Sequence, residues 1–298
     1  MHEDITFRVG RHRCAGRLVL PPKGKTNGAA IVLAAGLSGT MDCGLTEIAA
    51  DFAAAGFVAL AFDYRNFGAS GGTGRQYLSV PMQLADWRAA IAFVRARDDV
   101  DAARVGLWGV SFSGGHVVRL AVDDPQIAAI TAAAPMLDFH MTQALNRQWQ
   151  KPDTMEMLTR LALRDWAGHF VRRPPLMIPV VAETSGETAI LGAPEAAGFP
   201  DLAGESWRNE IAARSFVSGR LARNDASRLS DDFDTPILIQ LCDRDQSVSN
   251  EGTENFARRV GSCAETKHYD CGHFGIFDAP FAEQMTADAR AFFTTQLF

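Results

Sequence analysis

Apolar and polar positions follow two rhythms along this chain. Residues 5–9 and 14–20 alternate apolar and polar on either side of Gly10-Arg11-His12 and stop at Pro21-Pro22, the pattern of an antiparallel hairpin. Beyond the prolines the pattern changes. Residues 29–34 and 57–62 are continuous apolar runs that read as strands buried on both faces, and 105–108, 127–133, 237–241 and 265–269 supply further strands. Helical patterns fill the gaps at 45–55, 84–95 and 115–122. Strand–helix alternation of this kind predicts an α/β fold with a doubly wound, mainly parallel sheet of about eight strands.

The alternation lapses between Ala134 and Pro236 for about a hundred residues, far more than a loop in a compact domain. That span predicts an inserted, mostly helical cap at 136–231, with 1–135 and 232–298 as the core. Asp153-Thr154-Met155-Glu156 has the form of a helix-starting capping box, and Met157, Leu158, Leu161 and Trp166 follow at near-helical spacing. The run 176–181 carries prolines that make it a poor central strand. It is expected either to line a pocket or to pack the cap onto the body. Trp149, Trp166 and Trp207 add apolar surface to the same span, as core or as pocket wall.

Two serines compete for a nucleophile's place. Ser70 carries a perfect G-x-S-x-G match, Gly68-Ala69-Ser70-Gly71-Gly72, whereas Gly109-Val110-Ser111-Phe112-Ser113 breaks the pattern at Ser113. The chemistry needs a serine on a strained strand-to-helix corner with small residues two before and two after. Ser111 has that context: an apolar strand leads into it, a helix leads away, and Ser113 meets the steric need that glycine usually meets. Ser70 lies in a glycine-dense loop, so Ser111 is the candidate nucleophile.

A serine hydroxyl attacks only if a base takes its proton and a carboxylate orients that base. After strand 237–241 comes Cys242-Asp243-Arg244-Asp245, which puts a carboxylate beyond the carboxyl end of a strand, where open α/β sheets place their sites. Asp245 is the candidate acid; Asp243, which can instead pair with Arg244 or cap the turn, and Asp138 are the alternatives. After the last strand, Gly272-His273-Phe274-Gly275 sets a histidine between glycines in a loop. His273 is the candidate base, and the chain's other histidines read as structural or solvated. The order Ser111, Asp245, His273 is the order used by α/β-hydrolases.

Those segments, with Ala35-Gly36-Leu37-Ser38-Gly39 and Asp63-Tyr64-Arg65-Asn66-Phe67-Gly68, make the chain resemble an α/β-hydrolase over nearly its whole length. Within the superfamily it is similar to the dienelactone-hydrolase and X-Pro-dipeptidyl-peptidase-like branches. The resemblance implies an oxyanion hole made by the backbone N–H groups of Leu37 and Phe112, with alanine at position 35 where the family often has histidine. It also implies cleavage of an ester, thioester or amide.

Composition narrows the partners. The chain has 298 residues, 47% of them apolar, and a formal net charge of -6 without a basic run, which argues against nucleic acid or an anionic membrane as the main partner. No apolar stretch approaches the roughly 20 residues of a membrane span, and the charged start Met1-His2-Glu3-Asp4 leads straight into a strand, so the expected location is cytoplasmic. The 5 cysteines are scattered and read as reduced thiols, a metal role for Cys271 being the lesser alternative. The expected function is a serine hydrolase for a small to medium apolar ester or thioester, working without metal or cofactor. An acyltransferase, a peptidase or amidase with the same triad, and a ligand-binding member of the fold without turnover are the alternatives. Apolar stripes on the cap are compatible with a homo-oligomer.

Overall fold

The computed structural model describes residues 2–182, 188–217 and 224–298. Met1 and the segments 183–187 and 218–223 of the expected cap lie outside the described residues. The hairpin is β1 (His2–Val9) and β2 (His12–Val19), turned at Gly10, whose φ of 60° is the left-handed region that glycine enters without a Cβ penalty. Continuous apolar runs then become buried strands: β3 (Ala30–Ala34), β4 (Val58–Phe62), β5 (Val105–Val110) and β6 (Ile127–Ala133). The helices between them are α1 (Leu45–Ala54), α2 (Val80–Arg95) and α3 (Phe112–Asp123). After the insertion come β9 (Ile237–Cys242), α7 (Asn250–Val260), β10 (Ala264–Tyr269) and α8 (Phe281–Gln296).

The strands form one 8-stranded sheet in the order β1-β2-β4-β3-β5-β6-β9-β10. Only β2 runs against its neighbours, pairing antiparallel with β1 and β4. Helices α2, α3 and α7 bury their apolar faces on one side of the sheet, and α1 and α8 on the other. Strand β5 lies between β3 and β6 with every residue buried, which is why its sequence shows no alternation. Two helices start earlier than the periodicity predicts. Helix α2 begins at Val80 because Pro81 stands in its first turn, where a missing N–H breaks no helical bond. Helix α3 begins at Phe112, directly at the corner.

The insertion between β6 and β9 holds α4 (Phe139–Arg147), α5 (Thr154–Phe170), the short strands β7 (Met177–Ile178) and β8 (Ile211–Ala212), and α6 (Phe199–Leu202). Helix α5 forms where the spacing places it, but the capping box does not. Asp153 has φ -91° and ψ -6°, helical rather than the extended backbone a capping side chain needs, and makes no cap bond. Helix α5 buries Leu158, Ala162 and Asp165, while Met157 and Trp166 remain 38% and 39% exposed. Buried Asp165 knits the insertion together: its carboxylate accepts the backbone N–H of Leu176 at 3.0 Å and of Arg214 at 2.9 Å.

Candidate active site

Strand β5 passes into α3 with a single residue between them, so Ser111 sits at the corner with φ 55° and ψ -117°. A side-chain-bearing residue there is strained. Three backbone bonds hold the conformation: Ser111 N donates to Ala133 O, and Ser111 O accepts from Gly114 N and Met136 N, each at 2.9 Å. Close packing explains the small neighbours. A Cβ on Gly109 would come 2.5 Å from Ser113 O, and one on Gly36 would come 2.9 Å from Ser111 Cβ.

Strands β9 and β10 are parallel neighbours, with Cys242 opposite Tyr269, so the loops after them leave the same edge of the sheet. His273 opens a one-turn 3-10 helix (His273–Phe277) after β10, and Asp245 lies in the turn after β9. His273 Nδ1 donates to Asp245 Oδ2 at 2.7 Å, and His273 Nε2 stands 3.0 Å from Ser111 Oγ, inside the reach needed for proton transfer. The Asp245 side chain is wholly buried and that of His273 is 6% exposed. Burial pulls the imidazole's pKa down, but Asp245, and after it Glu195 and Cys271, outweigh this and raise it above the ordinary histidine value. Asp245 Oδ1 accepts the N–H groups of Ser247 and Val248, each at 2.8 Å, which fixes the carboxylate independently of the histidine.

The other sequence candidates are occupied elsewhere. Asp243 pairs with His268 rather than Arg244, Nδ1 to Oδ1 2.7 Å, in an exposed contact. Asp138 caps α4 by accepting the N–H of Met141 at 2.9 Å. Ser70 is buried in its loop, where its hydroxyl donates to Asp63 O at 2.6 Å and accepts from Ala15 N at 2.7 Å. It pins the loop to β2. His116 is buried with Nε2 3.0 Å from Gln83 Oε1, and burial lowers its pKa to about 3, so it is neutral. Among the described residues no His, Cys, Asp and Glu cluster is arranged to hold a metal ion, and no helix is long and apolar enough to cross a membrane.

A cavity of about 380 Å³ lies over Ser111 and His273. Leu37 and Phe112 border it beside the serine, and among the described residues no protein acceptor takes the N–H of either. The insertion supplies an apolar wall that includes Met155, Leu158, Ala162, Ile190, Leu191 and Phe216. Neither the run 176–181 nor Trp149, Trp166 or Trp207 lines it. The run is used for packing: Val180 and Val181 are fully buried, and Val181 bridges Leu191.

Several residues around the site have bonds that the sequence does not reveal. Ser113 is more than a small stand-in for glycine. Trp87 Nε1 donates to Tyr64 OH at 2.6 Å, Tyr64 OH lies 2.5 Å from Ser113 Oγ, and Ser113 Oγ donates to Ala35 O. The elbow helix is thereby tied to the loop that carries Gly36 and Leu37. Asp63 clamps the far end of that loop: it accepts Met41 N at 2.7 Å, and burial pushes its pKa up to about 6 against its backbone hydrogen bonds. Asp42 joins the loop to the insertion by accepting Ser206 N at 2.9 Å. Glu195, from the insertion, touches both the acid and the histidine loops.

A test of the Ser113 network runs against the letter of the motif. Ser113→Gly restores G-x-S-x-G around Ser111, yet it takes the Ser113 hydroxyl from the Ala35 carbonyl and leaves the Tyr64 hydroxyl, which keeps the bond from Trp87, without an acceptor for its proton. Each unsatisfied buried group costs about 1–3 kcal/mol, so the variant is expected to melt lower and to show a reduced kcat/KM. Wild-type melting and turnover in Ser113→Gly would show that the residue only fills space.

Comparison with known proteins agrees with this architecture. The family model described as serine aminopeptidase, S33, matches residues 25–277. The quorum-quenching protein AidA of Acinetobacter baumannii (strain MDR-ZJ06) is 36% identical over 289 residues, 96% of this chain and 92% of that protein. The thiohydrolase aneE of Aspergillus aculeatus is 33% identical over 160 residues, 53% of this chain and 48% of that protein. The crystal structure of the α/β hydrolase GrgF from Penicillium sp. sh18 superposes with a TM-score of 0.81 at 21% identity, covering 100% of this chain and 99% of that one. The extent of the family match, together with the sheet order, makes this chain a serine hydrolase of the α/β-hydrolase fold that belongs to the serine aminopeptidase S33 family.

Proposed function

We propose that this protein cleaves an ester or thioester of a small to medium apolar acyl group through Ser111, His273 and Asp245, with residues 136–231 forming a cap over the acyl chain. The observation that carries the reading is the continuous path from Asp245 Oδ2 through His273 to Ser111 Oγ, opening under a mostly apolar cavity. With Nδ1–H held by Asp245, Nε2 is the acceptor and takes the Ser111 proton as Oγ attacks the substrate carbonyl carbon. The carbonyl's electron pair moves onto its oxygen, and the N–H groups of Leu37 and Phe112 stabilise that oxyanion. Collapse expels the alkoxide or thiolate, which receives the proton from Nε2. A water, deprotonated by the same nitrogen, then attacks the acyl-enzyme and releases the acid and free Ser111.

The relatives support an acyl substrate of this kind, since one of them is named a thiohydrolase. A cavity near 380 Å³ sits at the lower end of ordinary ligand pockets, roughly 300–1,000 Å³, which favours medium chains over long ones. The test is a panel of p-nitrophenyl esters, acyl thioesters, alkyl-substituted lactones and acyl anilides of increasing chain length. The expected result is a kcat/KM that rises by about 0.8 kcal/mol for each added methylene buried, roughly fourfold, and then falls once the cavity is full. Esters and thioesters are expected to exceed anilides. A flat response to chain length would remove the acyl-pocket reading, and faster anilide cleavage would make the protein an amidase. Inclusion of an alcohol or amine acceptor separates hydrolysis from acyl transfer by the product formed.

A further inference from the structure

Glu195, at the start of a one-turn 3-10 helix, Pro194–Gly198, is a side chain of the insertion that touches both the loop carrying Asp245 and the loop carrying His273. Its Oε1 accepts the backbone N–H of Gln246 at 2.8 Å and the hydroxyl of Ser247 at 2.7 Å, both in the loop that holds Asp245. Its Oε2 accepts the backbone N–H of His273 at 2.9 Å. A single carboxylate therefore spans the acid loop and the histidine loop. The glycine before the histidine makes room for it: a Cβ on Gly272 would lie 2.5 Å from Glu195 Oε2. Gly272 has φ -81°, so the requirement is space rather than backbone freedom.

We infer that Glu195 is the positioning residue of this site, a carboxylate from the inserted segment that locks the acid and histidine loops together and places a second negative charge beside His273. The inference rests on the triad reading above. Asp245 orients the imidazole through its side chain, and Glu195 anchors the backbone from which that side chain hangs. The two carboxylates also grip one short stretch, Asp245 holding the N–H groups of Ser247 and Val248 and Glu195 holding Gln246 N and Ser247 Oγ. A displacement of about 1 Å at a reacting group lowers rate on the order of 100-fold, so loss of this brace is expected to lower kcat more than it raises KM.

Charge gives Glu195 a signature that bracing alone lacks. The groups acting on the His273 imidazole are Asp245, Glu195 and Cys271, all of which raise its pKa, against burial, which lowers it. Arg244, on the acid loop, is turned outward to Asp270, and Asp243 is paired with His268. The base works only when neutral, so activity rises as pH rises through the His273 pKa. Removal of the Glu195 charge lowers that pKa and moves the acid limb of the kcat/KM profile to lower pH.

Glu195→Gln, Glu195→Asp and Glu195→Ala are compared with wild type by pH–rate profile and by NMR titration of the His273 ring, using Ser111-directed fluorophosphonate labelling to count intact sites. The expected result is a lower His273 pKa in the Gln and Ala variants, a loss in kcat of roughly 100-fold in the Ala variant, and partial recovery of both in the Asp variant. Gly272→Ala is expected to be harmful in the wild type and harmless when added to Glu195→Ala, because the oxygen it meets is gone. An unchanged His273 titration and acid limb in Glu195→Gln, with normal labelling, would overturn the inference while leaving the triad intact. If the ring titration shifts as expected but wild type cleaves no acyl substrate and Ser111 takes no label, the triad reading fails and the electrostatic coupling of Glu195 stands. The NMR titration reads His273 in any variant that folds, and Glu195→Gln is nearly isosteric.

Discussion

Ser111→Ala is expected to lower kcat by roughly 10⁶-fold and to abolish labelling by a fluorophosphonate, with the fold unchanged. Among the described residues the only side-chain bond lost is the 3.0 Å contact to His273 Nε2, while the backbone bonds to Ala133, Gly114 and Met136 that hold the corner survive. Alanine keeps the Cβ already accommodated at φ 55°. Matching thermal melts of variant and wild type would therefore assign the loss to chemistry. The control is Ser70→Ala. Its hydroxyl bonds to Asp63 O and Ala15 N are structural, so the variant is expected to melt lower and still take the label. Labelling that persists in Ser111→Ala would remove this serine from the nucleophile's role and place the reactive group elsewhere in the chain.

Asp245→Asn is expected to cost roughly 10⁴-fold in kcat with little change in stability, because the surroundings dictate how the amide sits. Asp245 Oδ1 accepts two backbone N–H groups, so asparagine must keep its carbonyl oxygen there and turn its NH₂ toward His273 Nδ1. A donor facing Nδ1 holds the ring in the tautomer protonated at Nε2. That nitrogen then donates to Ser111 Oγ and has no lone pair to take the serine proton. NMR of the ring nitrogens reads the tautomer directly. Asp243→Asn, in an exposed pair with His268, is expected to stay near wild-type rate. A large loss in Asp243→Asn with a small one in Asp245→Asn would reverse the roles of the two carboxylates.

Strands β3, β4 and β5 were legible because burial on both sheet faces leaves no polar position in them. The start of α2 was not, since its periodic apolar face begins after Pro81, whereas the backbone is already helical there. In the insertion the periodicity placed α5, and its Leu158 is buried with Leu161 packed beside it, but the spacing did not outline the whole buried face. Its buried stripe contains Asp165, a charge that a pattern reading assigns to solvent, and Trp166 lies outside the stripe. Asp165 is buried because two backbone N–H groups converge on it, one from Leu176 before β7 and one from Arg214 in the 3-10 turn after β8, a condition set by residues 11 and 49 positions away. Ser113 was legible as small but not as bonded, because Tyr64 and the Ala35 carbonyl reach it only across the sheet.

The sequence by itself determined the class of fold and three chemically apt residues in order, because strands covered on both faces, a small-residue corner and loops at strand ends each leave a local trace. It left open whether those residues meet. The tertiary structure brings Ser111, His273 and Asp245 within hydrogen-bond reach by setting β5, β9 and β10 parallel in one sheet, so that their carboxyl ends share an edge. It alone revealed Glu195, whose bonds join residues 51, 52 and 78 positions apart. A carboxylate in a short turn has no periodicity or motif to mark it, and its role comes from backbone N–H groups that only the folded chain assembles around it.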